Sequence, residues 1–231
     1  EGPSSKHYLG TDLAGRDMFS RLIYAGRVSL SVGLVAVSIY TAIGIILGAL
    51  AGFYGGWVDS VGMRAADVFL SFPSLIIIIT MASVLGPSIW NVMLAIGLLG
   101  WPPIARLLRG ELLSLREREY AVAARAIGGS GTRVVFRHLF PNAMAPVIVA
   151  ATFGIANAIL LEAGLSFLGL GVQPPTASWG NMLTDAQSLT VLEGMPWLWL
   201  PPGIMIALAV LSINFIGDGL RDALDPYLQH R

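Results

Sequence analysis

Long stretches without charge divide the chain and predict helices that cross a membrane. Residues 28–58 carry no charged side chain, and residues 68–105 form a second uncharged run with the turn Gly86-Pro87-Ser88 inside it. A span needs about 20 apolar residues, and a charge at mid-bilayer costs roughly 2.5–3.5 kcal/mol. We therefore predict five spans, at about 28–53, 68–85, 88–106, 142–162 and 197–217.

Composition agrees with a membrane protein. The chain is 55% hydrophobic and 12% charged, with a mean hydropathy of +0.72, whereas soluble domains carry about 25% charged residues. The net charge of zero gives no case for nucleic acid, and the absence of cysteine excludes disulfides and thiolate metal sites. The histidines His7, His138 and His230 lie outside the spans, so we expect no metal site within them.

The distribution of arginine predicts the orientation. Residues 163–194 contain no Lys or Arg, whereas the segment between the third and fourth spans is rich in arginine. The positive-inside rule puts residues 107–141 in the cytoplasm, residues 163–196 outside and the tail 218–231 inside. The arginines of the cytoplasmic segment are Arg106, Arg109, Arg116, Arg118, Arg125, Arg133 and Arg137.

Residues 1–27 then lie outside, although they carry Lys6, Arg16, Arg21 and Arg27. We expect an additional span upstream, which would restore an even count. The run RDMFSRLIYAGR puts Phe19, Leu22, Ile23 and Gly26 on one helical face, which predicts a helix on the membrane surface. The alternative is an ordinary entry into the first span.

The cytoplasmic segment contains EREYAVAARAIGGSGTRVVFRHLFPN, which predicts a helix, a glycine break and a second helix. Its tip is small and rich in alanine, with arginine at its rim. Such a tip suits insertion into a groove of another protein. The alternative is a solvated loop that only follows the positive-inside rule.

Polar and small residues within the spans allow two interpretations each. Intramembrane polar groups either line a pathway or bond across helices. Gly44, Gly48 and Gly52 allow close helix packing, within the chain or at a subunit interface. The pathway candidates are Asn91, Asn157, Glu162 and Asn214.

The sequence offers little support for an enzyme. Gly128-Gly129-Ser130-Gly131 matches the nucleophile motif of intramembrane proteases, but His138 lies in the same wet segment rather than on a separate element. The single lysine, Lys6, is not part of a phosphate-binding loop. If ATP drives this protein, another chain binds it.

VAARAIG followed by RHLFPN resembles the EAA loop of ABC-importer permeases, E-A-A-x-x-x-G-x9-I-x-L-P. Val122, His138 and Phe140 depart from that pattern. LGTDLAGRDMFSRLIYAGRVSL, LSFLGLGVQPPTASWGNML and GDGLRDALDPYL resemble the C-type permease of dipeptide, oligopeptide and nickel importers. The matching positions of the EAA loop are Val122, Ala123, Ala124, Gly128, His138, Phe140 and Pro141.

The resemblance implies an all-α, polytopic type I ABC-importer permease fold (MetI-like), with the first of six family spans missing here. It implies half of a translocation pathway beside a B-type permease subunit. Two cytoplasmic ATPases would hold ATP and Mg²⁺, and an external solute-binding protein would deliver cargo at a bacterial or archaeal inner membrane. Peptides are the first expectation for the cargo, and nickel or another small solute is the alternative. A secondary transporter and a membrane scaffold or receptor also stay open.

Roles for particular residues follow from these expectations. Because the outer loop has no basic residue and contains rigid prolines, we expect Gln173, Pro174, Pro175 and Trp179 to contact the binding protein or form an outer gate. The tail run with Asp218, Arg221, Asp222 and Asp225 either contacts the ATPase or caps the last helix. The predicted ATPase-coupling residues are Ala121, Val122, Ala123, Ala124, Arg125, Gly128, Gly129 and Pro141.

Overall fold

A computed structural model describes residues 1–126 and 131–224, which form helices and no named strand. A π-helical turn, Val135–Leu139, precedes α8, and a 3-10 turn, Thr184–Gln187, follows α9. The prediction of an all-helical fold is confirmed. The helices are α1 (Met18–Tyr54), α2 (Gly56–Ser71), α3 (Ser74–Leu85), α4 (Ile89–Leu99), α5 (Trp101–Arg116), α6 (Glu119–Ala126), α7 (Gly131–Val134), α8 (Phe140–Phe167), α9 (Trp179–Met182), α10 (Leu189–Gly194) and α11 (Pro196–Leu224).

Within residues 1–126 and 131–224, four helical runs are long and apolar enough to cross a bilayer, and α2 with α3 makes a fifth if that bent pair is one span. This agrees with the predicted polytopic membrane fold. The four runs are Met18–Tyr54, Ile89–Arg116, Arg137–Phe167 and Pro196–Leu224.

The start of α1 agrees with the second of the two interpretations, an ordinary entry into the first span, because the proposed surface helix and the first span form one continuous α1. Asp17 caps its start by accepting a hydrogen bond from the Ser20 amide at 2.8 Å. The predicted lipid-facing side is also divided: Leu22 and Gly26 are buried in protein, whereas Phe19 and Ile23 are exposed. A membrane-surface helix would have put all four in lipid.

The second predicted span, 68–85, is broken. α2 and α3 meet at an angle of 81° across Phe72 and Pro73. Pro73 has no amide hydrogen to donate to the Phe69 carbonyl, and its ring disfavours a helical conformation before it. The helix restarts directly after this proline.

α2 begins well before the predicted span and packs on α5 at the far end of α1 from Met18. Two ion pairs between the helices fix this contact, Arg106 with Asp67 and Arg109 with Asp59. Asp59, the charged residue that ends the first uncharged run, therefore forms an ion pair between two helices of the same chain.

The glycine ladder of α1 is explained by contact within the chain. A Cβ added to Gly44 or Gly48 would lie 2.6 Å from an atom of α5, and one added to Gly52 would lie 3.0 Å away. The nearest α5 atom to Gly48 is the Ala105 carbonyl oxygen. The backbones of α1 and α5 can approach this closely only because these positions have no side chain.

An apolar cluster and a cavity define the two ends of the molecule. Met18, Leu22 and Ala25 of α1 pack with Trp179 and Leu198 at what we call the outer end. Phe53 of α1 lies with the arginine-rich segment at the opposite end, the inner end. The segments predicted to lie outside the membrane, residues 1–27 and 163–196, thus meet at the same end.

Candidate functional site

The arginine-rich segment folds back onto the inner end of α1. α5 ends at Arg116, the chain turns through Glu117, and α6 begins at Glu119. The Arg116 guanidinium donates to the Gly52 carbonyl of α1 at 3.4 Å. Phe53, Arg116, Ala121, Gly131, Val134, Val135 and Leu139 enclose a cavity of about 180 Å³.

α6 has a buried side and an exposed side. Ala121 is fully buried, Ala124 packs partly against the central apolar cluster, and Ala123 is exposed. The alanines let α6 pack against the end of α5, and Ala121 lines a cavity with Phe53 at the end of α1, while a small surface is left outside. Five of the predicted coupling residues therefore lie on one short helix, and three of them have described side chains.

The structure describes the remaining predicted coupling residues only in part. Val122 and Arg125 belong to α6, and Pro141 is exposed near the start of α8. Gly128 and Gly129 lie outside the described residues, as does Asp225 of the tail.

The outer loop, residues 163–196, divides into an exposed run and buried residues. Gln173, Pro174, Pro175 and Thr176 are exposed. Trp179, predicted as an outer contact or gate, is only 3% exposed. Its indole N–H donates to the Leu22 carbonyl at 3.0 Å, so this side chain joins the loop to α1.

Glu162 is buried beneath this loop, in a group of side chains that we call the Glu162 cluster: Glu162, Ser29, Ser166 and Ser178. All four are at most 1% exposed. The Ser29 hydroxyl donates to Oε2 of Glu162 at 3.0 Å, and the Ser166 hydroxyl donates to Oε1 at 2.7 Å. The Ser178 hydroxyl is buried beside the same carboxyl.

Sequence inspection found Glu162, because it is a charge within a span, but it missed the three serines. One signal was available, since Glu162 and Ser166 are four residues apart and share a helix face. Nothing in the local sequence indicates that Ser29, from another helix, meets them.

The other three pathway candidates lie in different parts of the structure. Asn91 donates to the carbonyls of Leu85 and Gly86, each at 2.9 Å, so it closes the turn between α3 and α4. Asn214 is half-buried on α11. Asn157 is exposed and lines a cavity of about 320 Å³ with Tyr40 and Ser74.

Two helix interruptions meet at this cavity. Leu70 and Ser74 lie on either side of the α2–α3 break, and Gly100 lies between α4 and α5. Because Pro102 and Pro103 follow Gly100, two carbonyls of α4 have no amide donor four residues ahead. Interrupted helices inside a membrane occur where the backbone is buried in protein or lines a cavity.

A charged group at the outer end was not anticipated. Asp12 is buried and accepts from the Arg16 amide at 2.8 Å and from its guanidinium at 2.7 Å, with Arg21 3.3 Å away. Burial raises the pKa of Asp12, but these hydrogen bonds outweigh it, so the pKa lies below its ordinary value. Burial and the nearby Asp12 raise the pKa of Asp185.

No group of three or more His, Cys, Asp and Glu residues capable of holding a metal occurs within residues 1–126 and 131–224. The described polar groups instead join helices and loops of the chain.

Comparison with known proteins identifies the family. The family model described as "Binding-protein-dependent transport system inner membrane component" matches residues 44–230. The chain belongs to this family. The matched residues include all the helices after α1 and residues 44–54 at the end of α1.

Two relatives of this permease are similar over nearly its whole length. A putative peptide permease protein of Brucella suis biovar 1 is 52% identical over 97% of this chain and 74% of its own. A dipeptide transport system permease protein of Alkalihalophilus pseudofirmus is 46% identical over 99% of this chain and 75% of its own.

A solved structure shows the same fold. The inward-facing MetNI methionine ABC transporter contains a chain that matches with a TM-score of 0.72 at 18% identity, covering 90% of this permease and 98% of that chain. The MetI-like fold is therefore confirmed.

Proposed function

We propose that this chain is the C-type permease subunit of an ATP-driven importer of dipeptides and oligopeptides. In this proposal, α6 contacts a cytoplasmic ATPase that binds ATP and Mg²⁺, and a B-type permease supplies the other half of the pathway. An external solute-binding protein delivers the peptide at the outer end. The chain itself carries no catalytic step.

The observation that carries the coupling role is the two-sided packing of α6. Ala121 is buried against the chain, whereas Ala123 is exposed. A small helical surface can enter a groove of a partner without steric conflict. Because the same helix lies on the ends of α1 and α5, a displacement of α6 by the partner moves these membrane helices directly.

The cavity between the helix breaks is the proposed part of the pathway. Its wall is largely aliphatic, with the Tyr40 hydroxyl, the Ser74 hydroxyl and the Asn157 amide as polar groups. Aliphatic surface accommodates peptide side chains of many kinds, and an amide can both donate to and accept from a peptide backbone. Broken helices at the pathway are common in membrane transporters.

Peptide cargo is supported by the names of the Brucella and Alkalihalophilus relatives, a peptide permease and a dipeptide permease. The proposed contact with the binding protein rests on the exposed run Gln173–Thr176, since Trp179 is buried.

Reconstitution tests this function. The chain would be assembled with its permease partner, both ATPases and the binding protein in proteoliposomes, and uptake of a labelled dipeptide, a tetrapeptide and a nickel chelate would be measured. We expect peptide uptake that requires ATP. Uptake without the ATPases would indicate a secondary transporter, and uptake of nickel alone would contradict peptide cargo.

A further inference from the structure

The Glu162 cluster joins three separate parts of the chain at the outer end. Ser29 belongs to α1, Glu162 and Ser166 belong to α8, and Ser178 belongs to the outer loop. A carboxyl this deeply buried is costly to keep unless hydrogen bonds satisfy its oxygens. Here the donors are the hydroxyls of Ser29 and Ser166, one to each carboxyl oxygen.

The serine hydroxyls also connect Glu162 to the backbone. Each hydroxyl accepts from an amide at 3.1 Å: Ser29 from Trp179, Ser166 from Val172, and Ser178 from Asn181. Ser29 and Ser166 use their own hydrogens toward Glu162. This arrangement fixes the backbone at Val172 and Trp179 as well as the side chains.

The fixed residues lie on both sides of the exposed run Gln173–Thr176. Val172 precedes it, and the capping box of Ser178 and Asn181 follows it. The Asn181 amide also donates to the Thr176 carbonyl at 2.7 Å. The run projects from the outer end with its two ends held against α1 and α8.

We propose that Glu162 is a positioning residue for docking of the solute-binding protein. It holds Gln173–Thr176 in one position relative to α1 and α8, so that the partner meets a preformed surface. α1 then connects this surface to the inner end, because its last turns contact Arg116 and the cavity beside α6. This inference rests on the proposed importer function.

Two variants test the inference. Glu162→Gln keeps the shape but turns an NH₂ group toward hydroxyls that already donate. Ser29→Ala keeps the carboxyl and removes its connection to the Trp179 amide. The matched controls are Glu193→Gln, on the exposed surface of the same loop, and Ser38→Ala, whose hydroxyl bonds only within α1.

The first measurement is the concentration of liganded binding protein that gives half-maximal stimulation of ATPase activity in the full complex. We expect it to rise roughly tenfold in Glu162→Gln and Ser29→Ala, the factor for one buried polar group left without its hydrogen bond. The controls should match the native complex.

The second measurement is a distance distribution between spin labels at Phe19→Cys and Thr176→Cys, which are unique because the chain has no cysteine. We expect one narrow distribution in the native complex and a broader one in both variants. This readout reports loop position without depending on transport.

Native half-maximal concentrations and native distance distributions in both variants would overturn the inference. If Glu162→Gln does not assemble, Ser29→Ala decides the question. If the native complex shows no stimulation by any binding protein, the proposed function fails, and the distance measurement still decides whether Glu162 positions the loop.

Discussion

At the scale of single residues, glycines set how closely α1 approaches α5. A Cβ at Gly48 would lie 2.6 Å from the Ala105 carbonyl oxygen, whereas a Cβ at Gly110 would meet no atom within 4 Å. We expect Gly48→Ala to lower the free energy of unfolding by about 1–3 kcal/mol, because the helices must separate.

Gly110→Ala is the matched control for this prediction. It should leave stability unchanged or raise it by up to about 1 kcal/mol, since alanine favours a helix over glycine. Thermal unfolding in detergent measures both variants. Equal effects of the two substitutions would show that the close approach does not limit packing.

A second residue-scale prediction concerns Trp179. Its ring packs on Gly26, where an added Cβ would lie 3.0 Å from the indole, and its N–H is bonded to Leu22. Trp179→Ala should cost about 3–5 kcal/mol of stability. Trp57, which is 76% exposed on α2, provides the control. A loss as large for Trp57→Ala as for Trp179→Ala would contradict the assigned role of the buried ring.

Single residues also show what sequence could predict. Glu162 was identifiable because an acidic residue in a span is rare. The burial of Trp179 was not, because it depends on how a proline-rich loop packs on a helix about 150 positions earlier. The role of Ser29 could not be predicted either, because its partners Glu162 and Trp179 are distant in sequence.

At the scale of elements, apolar patterning predicted the spans better than their ends. The break at Pro73 was not predicted, because it lies within the uncharged run that begins at residue 68. The hydropathy of that run does not depend on whether a residue has an amide hydrogen. The first span was predicted to begin at residue 28, because Arg16, Arg21 and Arg27 precede it. In the structure, the Asp17 cap and the packing of Leu22 make the helix continuous.

α6 supports a prediction with two distinct outcomes. Ala121→Leu should keep both the melting temperature and uptake near native, because its side chain can enter the cavity that Ala121 lines. Ala123→Leu should leave the melting temperature near native but reduce ATP-dependent uptake at least several-fold, because the larger side chain enters the proposed partner groove. Parallel melting and uptake assays distinguish them. Native uptake by Ala123→Leu would contradict docking through this surface.

At the scale of the whole molecule, the outer loop and the start of α1 share one end, and α6 lies at the other. Positive-inside patterning predicts that the α6 end lies in the cytoplasm. α1 extends between the two ends. We therefore expect a displacement of one end of α1 to move the residues at its other end.

Labelling from one side tests that orientation. Because the chain has no cysteine, Thr176→Cys and Ala123→Cys each provide one thiol. In whole cells, a membrane-impermeant maleimide should label Thr176→Cys and leave Ala123→Cys unmodified until the membrane is opened. The reverse pattern would invert the predicted topology.

The central claim is that α6 transmits the action of an ATPase to the membrane helices, and its most direct test is photocrosslinking. A benzophenone maleimide attached at Ala123→Cys would be irradiated in the assembled complex, with and without ATP, and the captured chain identified. We predict capture of the ATPase subunit from Ala123→Cys and none from Thr176→Cys. Failure to capture the ATPase in any nucleotide state, or its capture from Thr176→Cys instead, would contradict the account.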